Sequence, residues 1–359
     1  MTDRATMRGM VLTGHGGLEK LEWREDLAVP ETGAGEVLIK VGAAAVNNTD
    51  INTRTGWYSK AVRGDTASAA TQGDHGLQTG AEGSWSGEAL AFPLIQGADC
   101  CGRIVTVGAG VDAARIGERV LVRTMQSRAK PDGSVVTFTF GSECNGGFAE
   151  YAVAASGDAL KVSSDLADIE LAGFPCAFST AEAMIQRCGL GSENVLITGA
   201  SGGVGSAAIQ LAKRRGAHVT AVTTAAKAEA LRELGADETI DRDAVIPTTA
   251  FDVILDLVGG PQFPGLIEGL RDRGRYVTSG AIAGPIVELD LRTLYLRDLT
   301  LLGSTYQPAS VFEDLIGYIE ADELRPVMAA VYPLSELRSA QDAFLRKSHI
   351  GKIGIRVSE

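Results

Sequence analysis

NVLITGASGGVGSAAIQLAKRRG, residues 194–216, carries three structural signals in succession. The apolar, β-branched run Val195-Leu196-Ile197-Thr198 predicts a short buried strand. The glycine-dense Gly199-Ala200-Ser201-Gly202-Gly203-Val204-Gly205 predicts a turn. Ala207, Ala208, Leu211 and Ala212 then recur on one face of a helix that Gly216 closes. Strand, glycine turn and helix in that order make the phosphate-binding corner of a dinucleotide fold. In such a corner Gly202 lets backbone approach a pyrophosphate, and Gly205 lets the helix pack close to the strand. The helix N-terminus adds amide donors and the positive end of its dipole. The form is AxGxxG rather than GxGxxG, with Ala200 in the first position. Because the triplet sits in its required context, Ala200 to Gly205 are read as cofactor-binding.

The chain around this corner has 359 residues, enough for two domains, with 45% hydrophobic and 22% charged residues. No apolar run approaches the ~20 residues that cross a bilayer. The opening Met-Thr-Asp-Arg-Ala-Thr-Met-Arg lacks the apolar centre of a secretion signal. Five cysteines (Cys100, Cys101, Cys144, Cys176, Cys188) form neither a CxxC pair nor a disulfide framework, so a reducing, cytoplasmic setting is expected. A net charge of −12 argues against a nucleic-acid surface, and an anionic ligand then needs a local cluster of donors.

Ahead of the corner the chain reads as β-rich. Met7 to Leu12 and Glu36 to Val41 are strand candidates, and a small-residue strand from Ala43 ends in the polar cluster Asn47-Asn48-Thr49-Asp50. From Lys60 to Pro93 the sequence turns to Gly, Ser, Thr and Ala and carries Asp74, His75 and Trp85, which suits either a lid or a surface insertion. Residues 94–123 alternate β-branched residues with glycines, as in a barrel-like sheet with tight corners, and Gly146 to Val153 predict a further strand. Residues 165–190 read as helical. Beyond the corner, strand candidates at 218–223, 238–240, 251–257, 275–279 and 299–303 predict a doubly wound parallel sheet. Helices over 311–319 and 334–347 precede a terminal strand, Lys352 to Val357, which rejoins the first domain.

Several of these segments resemble one family. The glycine-punctuated run from Gly97 to Val120, GGFAEY, the AxGxxG turn with AIQLAK, LGAD at 234–237 and DLVGG at 256–260 are similar to the medium-chain dehydrogenase/reductase superfamily. The ITGASGGVGSAAIQLAK form most resembles its zinc-independent quinone oxidoreductase branch. The resemblance spans nearly the whole chain. It implies an α/β protein: a Rossmann doubly wound parallel sheet domain and a GroES-like β-rich catalytic domain, with the active site between them. The domains would run 1–170 (catalytic, with the insertion at about 60–93), 171–307 (Rossmann) and 308–359 (return to the catalytic domain).

The metal question follows residue by residue. By resemblance, the zinc ligands of the family's alcohol dehydrogenases fall on Asn47, Ala98 and Cys176, with Asp99 in place of a neighbouring glutamate, and the four-cysteine structural lobe is missing. Zinc takes about four N, S or O ligands, so this set predicts no catalytic metal. Without a Lewis acid, hydride addition to an activated double bond is the accessible chemistry, since an enone or quinone delocalises the incoming charge. Asn47, Asn48 and Asp50 are the candidates to line that site, with Tyr58 as donor. A structural reading stands beside it: Asp50 as a backbone anchor, Asn47 as filler of the vacated metal site.

The second Rossmann strand ends in Thr223-Thr224-Ala225-Ala226-Lys227, with no carboxylate to repel a 2′-phosphate, so NADPH is the expected cofactor. This resembles the lysine-bearing pattern of NADPH-dependent quinone reductases. The resemblance places Val258, Gly280 and Ala281 at the nicotinamide end. The apolar segments 286–291 and 299–302 lie near the sheet's far edge, and the resemblance implies a homodimer, since relatives pair such edges across a two-fold axis. The leading expectation is an NADPH-dependent reductase of enones or quinones. The alternatives are an alcohol or aldehyde dehydrogenase with a degenerate zinc site and a non-catalytic NADPH-binding redox sensor.

Overall fold

The computed structural model describes residues 5–66, 83–87, 89–129 and 133–358. Most of the expected insertion, Asp74 and His75 included, lies outside the described residues.

The first part of the chain supplies β1 (Thr6–Leu12), β2 (Leu21–Ala28), β3 (Glu36–Val46), α1 (Asn48–Thr55), β4 (Leu94–Ile95), β5 (Cys101–Val107) and β6 (Arg119–Val122). The hairpin strands β7 (Met125–Ala129) and β8 (Val135–Thr139) follow, then β9 (Tyr151–Ala155) and β10 (Ala159–Lys161). β3 organises this half. Val37, Ile39 and Val41 point into one apolar cluster, and the strand pairs antiparallel with both β5 and β9. Its end, Ala43 to Ala45, is small enough to be fully enclosed. Pairing of the segment expected to begin at Gly146 begins instead at Tyr151. Gly146, Gly147 and Phe148 donate their amides to Ile95, Gly97 and Gln96, which spends them on a loop rather than a ladder.

Two helices, α2 (Asp168–Leu171) and α3 (Pro175–Cys188), lead into the second half, separated where Pro175 starts a new helix at its first position. There follow β11 (Asn194–Ile197), α4 (Gly203–Arg214), β12 (His218–Thr223), α5 (Ala225–Glu233), β13 (Glu238–Asp241) and β14 (Phe251–Asp256). The half closes with α6 (Phe263–Gly269), β15 (Leu270–Thr278), α7 (Leu291–Leu296) and β16 (Thr300–Gly303). The sheet order is β13-β12-β11-β14-β15-β16 with every pairing parallel, the 3-2-1-4-5-6 order of a dinucleotide fold. Both faces are covered. Val195 and Ile197 belong to the cluster with α3 and α4, whereas Leu196 belongs to the cluster on the opposite face. Such two-sided burial explains why β11 reads as a continuous apolar run.

The chain returns through α8 (Ala309–Glu320), β17 (Met328–Pro333), α9 (Leu337–Leu345) and β18 (Lys352–Arg356). α8 packs on α3 within the cluster that backs the parallel sheet, so entry into the β-rich sheet comes at Met328, later than the 308 expected. There β18 pairs antiparallel with the end of β3, placing Ile353 opposite Val46. This last pairing sets the site, because it delivers Lys352 beside Asn47.

Candidate active site

The strand order reverses between β11 and β14, and ligands of open α/β sheets bind outside the carboxyl ends at such a point. The glycine turn lies there. A Cβ on Gly205 would come 2.3 Å from the Gly199 carbonyl and 2.5 Å from Ala200 Cα, so only glycine lets α4 start this close to β11. A Cβ on Gly202 would meet only the Gly199 carbonyl, at 3.4 Å, leaving the face of the turn open. No side chain caps α4, whose first amides remain available to an anion. Ala200 is buried under the turn, while Ser201, Gly202, Gly203 and Val204 stay partly accessible.

The nicotinamide-end expectations come together as one loop pair. Val258 accepts a hydrogen bond from the Ala283 amide at 2.9 Å, Gly284 donates to Ala281 at 3.0 Å, and Thr278 Oγ1 donates to the Gly280 carbonyl at 3.0 Å. Behind them stands a residue the sequence reading did not single out. Asp256 is fully buried and accepts from Thr198 Oγ1 at 2.5 Å, from the Val258 and Gly259 amides at 2.9 and 3.1 Å, and from the Tyr276 hydroxyl.

At the other end, Thr223 and Thr224 line a cavity of about 320 Å³ with Ala225, Thr239 and Asp241. The Thr223 hydroxyl is buried with no partner among the described residues. Lys227 does not project freely toward this cavity: its ammonium donates to the carbonyls of Lys347 and His349, both at 2.7 Å, with Ser201 Oγ at 3.5 Å. The turn beyond α9 is thereby held against the glycine turn, where Gly351 also donates to the Ser201 carbonyl at 2.9 Å.

A cluster of cations results. Burial, with help from Arg242, lowers Lys227, and crowding by neighbouring chain together with Lys227 lowers Lys347 to about 8. Burial and the charges of Lys347, Lys227 and Lys352 push His349 down to about 4, and its Nδ1 has no partner among the described residues. The Lys227 ammonium lies within 3.5 Å of Ser201 Oγ, beside the uncapped start of α4, where phosphate oxygens are favoured. The residues therefore suit the pyrophosphate of a nicotinamide dinucleotide. The sequence pointed to Lys227; Arg242, Lys347 and His349 lay too far along the chain to be associated with it.

On the facing side, Asn47 ends β3 and precedes α1. Its amide N–H group donates to Asp99 Oδ2 at 2.7 Å and to the Ala45 carbonyl at 3.2 Å, and its carbonyl oxygen accepts from Lys352. Asp50 reaches back to the Asn47 amide at 2.7 Å and takes the Ala98 amide at 3.2 Å, half of a capping box. Burial raises it to about 7 against those backbone bonds and against Lys352, with Asp99 adding to the rise. The expectation that Asn47 and Asp50 line the cleft is corrected here: both are buried and their polar atoms are spent internally. Asn48 and Tyr58 are half-buried. Asn48 Oδ1 accepts from Lys347 at 3.1 Å, and the Tyr58 hydroxyl donates to Thr49 Oγ1 at 3.1 Å. Burial pushes the Tyr58 phenol to about 12 despite Thr49 and Asn52, so it is a donor at neutral pH.

The same neighbourhood tests for a metal. Asp99 spends one oxygen on the Cys176 amide at 2.7 Å and the other on Asn47 and Lys352, the latter at 2.8 Å. Ala98 offers a methyl group, and desolvation first, then Asp99, pushes the Cys176 thiol up, away from the thiolate a metal needs. Among the described residues no group of three or more His, Cys, Asp or Glu is arranged to hold an ion. The residues do not fit zinc.

Comparison with known proteins identifies the family. Residues 33–164 match the alcohol dehydrogenase GroES-like domain, and residues 203–321 match the zinc-binding dehydrogenase domain. A solved structure, a putative alcohol dehydrogenase from Sinorhizobium meliloti, is 44% identical with a TM-score of 0.85, covering 98% of this chain and 97% of that one. Acryloyl-coenzyme A reductase of Metallosphaera sedula is 26% identical over 97% of this chain and 99% of its own. Quinone oxidoreductase of Lama guanicoe is 28% identical over 97% and 96%. The chain belongs to the medium-chain dehydrogenase/reductase superfamily and is an oxidoreductase of that family. Within the superfamily it is quinone oxidoreductase-like.

Proposed function

We propose that this chain is an NADPH-dependent reductase that adds hydride to an activated double bond, in a quinone or an α,β-unsaturated carbonyl compound, without a catalytic metal. The observation that carries the reading is the filling of the would-be metal position by the Lys352 ammonium, with Asn47 and Asp99 already spent on it. Two relatives whose names speak of a quinone and of acryloyl-coenzyme A support the substrate class.

Bound NADPH supplies the hydride. The uncapped start of α4 takes the pyrophosphate, and Lys227, Lys347 and Arg242, with the threonines 223 and 224, take the adenosine end and its 2′-phosphate. Val258, Gly280 and Ala281 position the nicotinamide end. When charge develops on the substrate carbonyl oxygen, the Tyr58–Thr49 hydroxyl pair donates to it, with Asn48 beside them. The same reading includes a cytoplasmic homodimer, formed through the β16 edge of the parallel sheet.

Oxidation of NADPH, with NADH in parallel, is to be followed against quinones, enones, enoyl thioesters and aldehydes, with and without a zinc chelator. Chelator-insensitive, NADPH-preferring turnover of a quinone, enone or enoyl thioester is expected. Lys227→Ala raises KM for NADPH about tenfold, through the lost charge and the released 347–349 turn, and raises that for NADH by less, through the released turn alone. Chelator-sensitive aldehyde turnover points instead to an alcohol or aldehyde dehydrogenase with a degenerate zinc site. Tight NADPH binding without turnover points to a redox sensor.

A further inference from the structure

Lys352 is 2% exposed, and β18 carries its ammonium into the junction between the domains. All three of its protons are taken: by Asp99 Oδ2 at 2.8 Å, by the Val46 carbonyl at 3.3 Å and by Asn47 Oδ1 in a shorter contact. Those partners come from the end of β3 and from the turn before β5. Asp99 passes the connection on through its other oxygen, which takes the Cys176 amide in the first turn of α3. The lysine stem completes it on the cofactor side. A Cβ on Gly203 would come 2.7 Å from Lys352 Cδ, so the stem lies directly beneath the glycine turn.

We propose that Lys352 is a positioning residue, the resident cation of the site, which locks the Asn47–Asp99 pair and the start of α3 against the Gly203 turn. The proposal rests on the hydride-transfer reading above and deepens it. With its protons spent, the ammonium has none for a substrate, so it acts through what it holds. Its charge balances Asp99, which would otherwise be buried unpaired. A divalent ion at the same place would meet that ammonium at contact distance in a dry environment, where like charges repel strongly. Its stem ties the reaction side to the cofactor side, so one residue sets the distance between substrate and nicotinamide. Small errors in such a distance cost large factors in rate.

The test compares Lys352→Met, which keeps the stem and removes the charge, with Lys352→Ala, which removes both. NADPH affinity, from the fluorescence of the reduced nicotinamide, is expected to be unchanged in Lys352→Met. It weakens about fivefold in Lys352→Ala as the Gly203 turn loses its support. Turnover falls about tenfold or more in both. Added propylammonium restores Lys352→Ala saturably and propanol does not. Since an unpaired Asp99 threatens folding, the double variant Lys352→Met with Asp99→Asn is measured beside them, and its kcat stays low although no buried charge is left alone. Wild-type turnover in that double variant, or rescue by propanol as well as by the amine, overturns the proposal and leaves Lys352 as packing. Wild-type silence toward every acceptor sinks the reductase reading instead. The lysine is then judged by nicotinamide binding alone, where equal affinity of Lys352→Ala and wild type overturns it.

Discussion

Asp50 holds two backbone amides on its carboxylate, yet burial and the nearby Asp99 raise it from 3.8 to about 7, against the pull of Lys352. An acid with a raised folded-state value binds a proton on folding, so its contribution to stability is full below about 4 and is lost as the pH rises to about 7. Asp50→Asn removes that dependence. The stability difference between variant and wild type should move in the variant's favour by up to about 1.4 kcal/mol per pH unit across that window and be level on either side. Urea midpoints at four or five pH values measure it, and a constant difference refutes it. At this scale the sequence was only half legible. Asn47, Ala98, Asp99 and Cys176 could be read as a poor ligand set because each was matched to a motif. Lys352 could not, because it stands 305 residues from Asn47 on a strand that carries no local sign of chemistry.

The glycine turn was legible because its requirements are local: a strand, a bend too tight for a Cβ, and an uncapped helix within a dozen residues. The loop after β14 follows a different rule. DLVGG marks its position, but what shapes it is Asp256, through Thr198 just beyond β11 and Tyr276 on β15. Asp256→Ala leaves a buried phenol, the buried Thr198 hydroxyl and two amides without their acceptor and should cost about 3 kcal/mol or more. Asp256→Asn keeps one acceptor and should cost about 1 kcal/mol. Chemical denaturation of the two variants separates them, and equal midpoints would show that the carboxylate does not hold the loop. The strand expected from Gly146 failed for a related reason. Its β-like residues are consumed by glycine contacts with the 95–97 segment, a pairing that periodicity cannot register.

For the molecule as a whole, the parallel sheet ends at β16 with the next apolar surface exposed beside it. Leu291, Tyr295 and Leu296 are 63%, 62% and 70% exposed, and Ile286 is 59% exposed. Large apolar side chains this exposed, within a dozen residues of one another, suit an interaction site, and a second copy of the chain is the partner we propose. Leu291→Glu combined with Leu296→Glu should convert a dimer to a monomer in light scattering while leaving the far-ultraviolet circular dichroism unchanged. A wild-type protein that scatters as a monomer at micromolar concentration defeats the proposal.

The sequence by itself determined the two-domain α/β architecture, the cofactor corner and the poverty of the metal-ligand set. Each of these is written in short-range pattern: burial period, turn chemistry, residue type at a motif position. The tertiary structure alone decided that Lys352 bonds Asn47 and Asp99, that Lys227 is clipped to the carbonyls of Lys347 and His349, and that Asn47 and Asp50 face inward. Those outcomes depend on which buried charge finds which partner when the last strand closes on β3. Hydrogen bonding and ion pairing over hundreds of residues leave no period in the chain, because the partners are neighbours only in the folded chain.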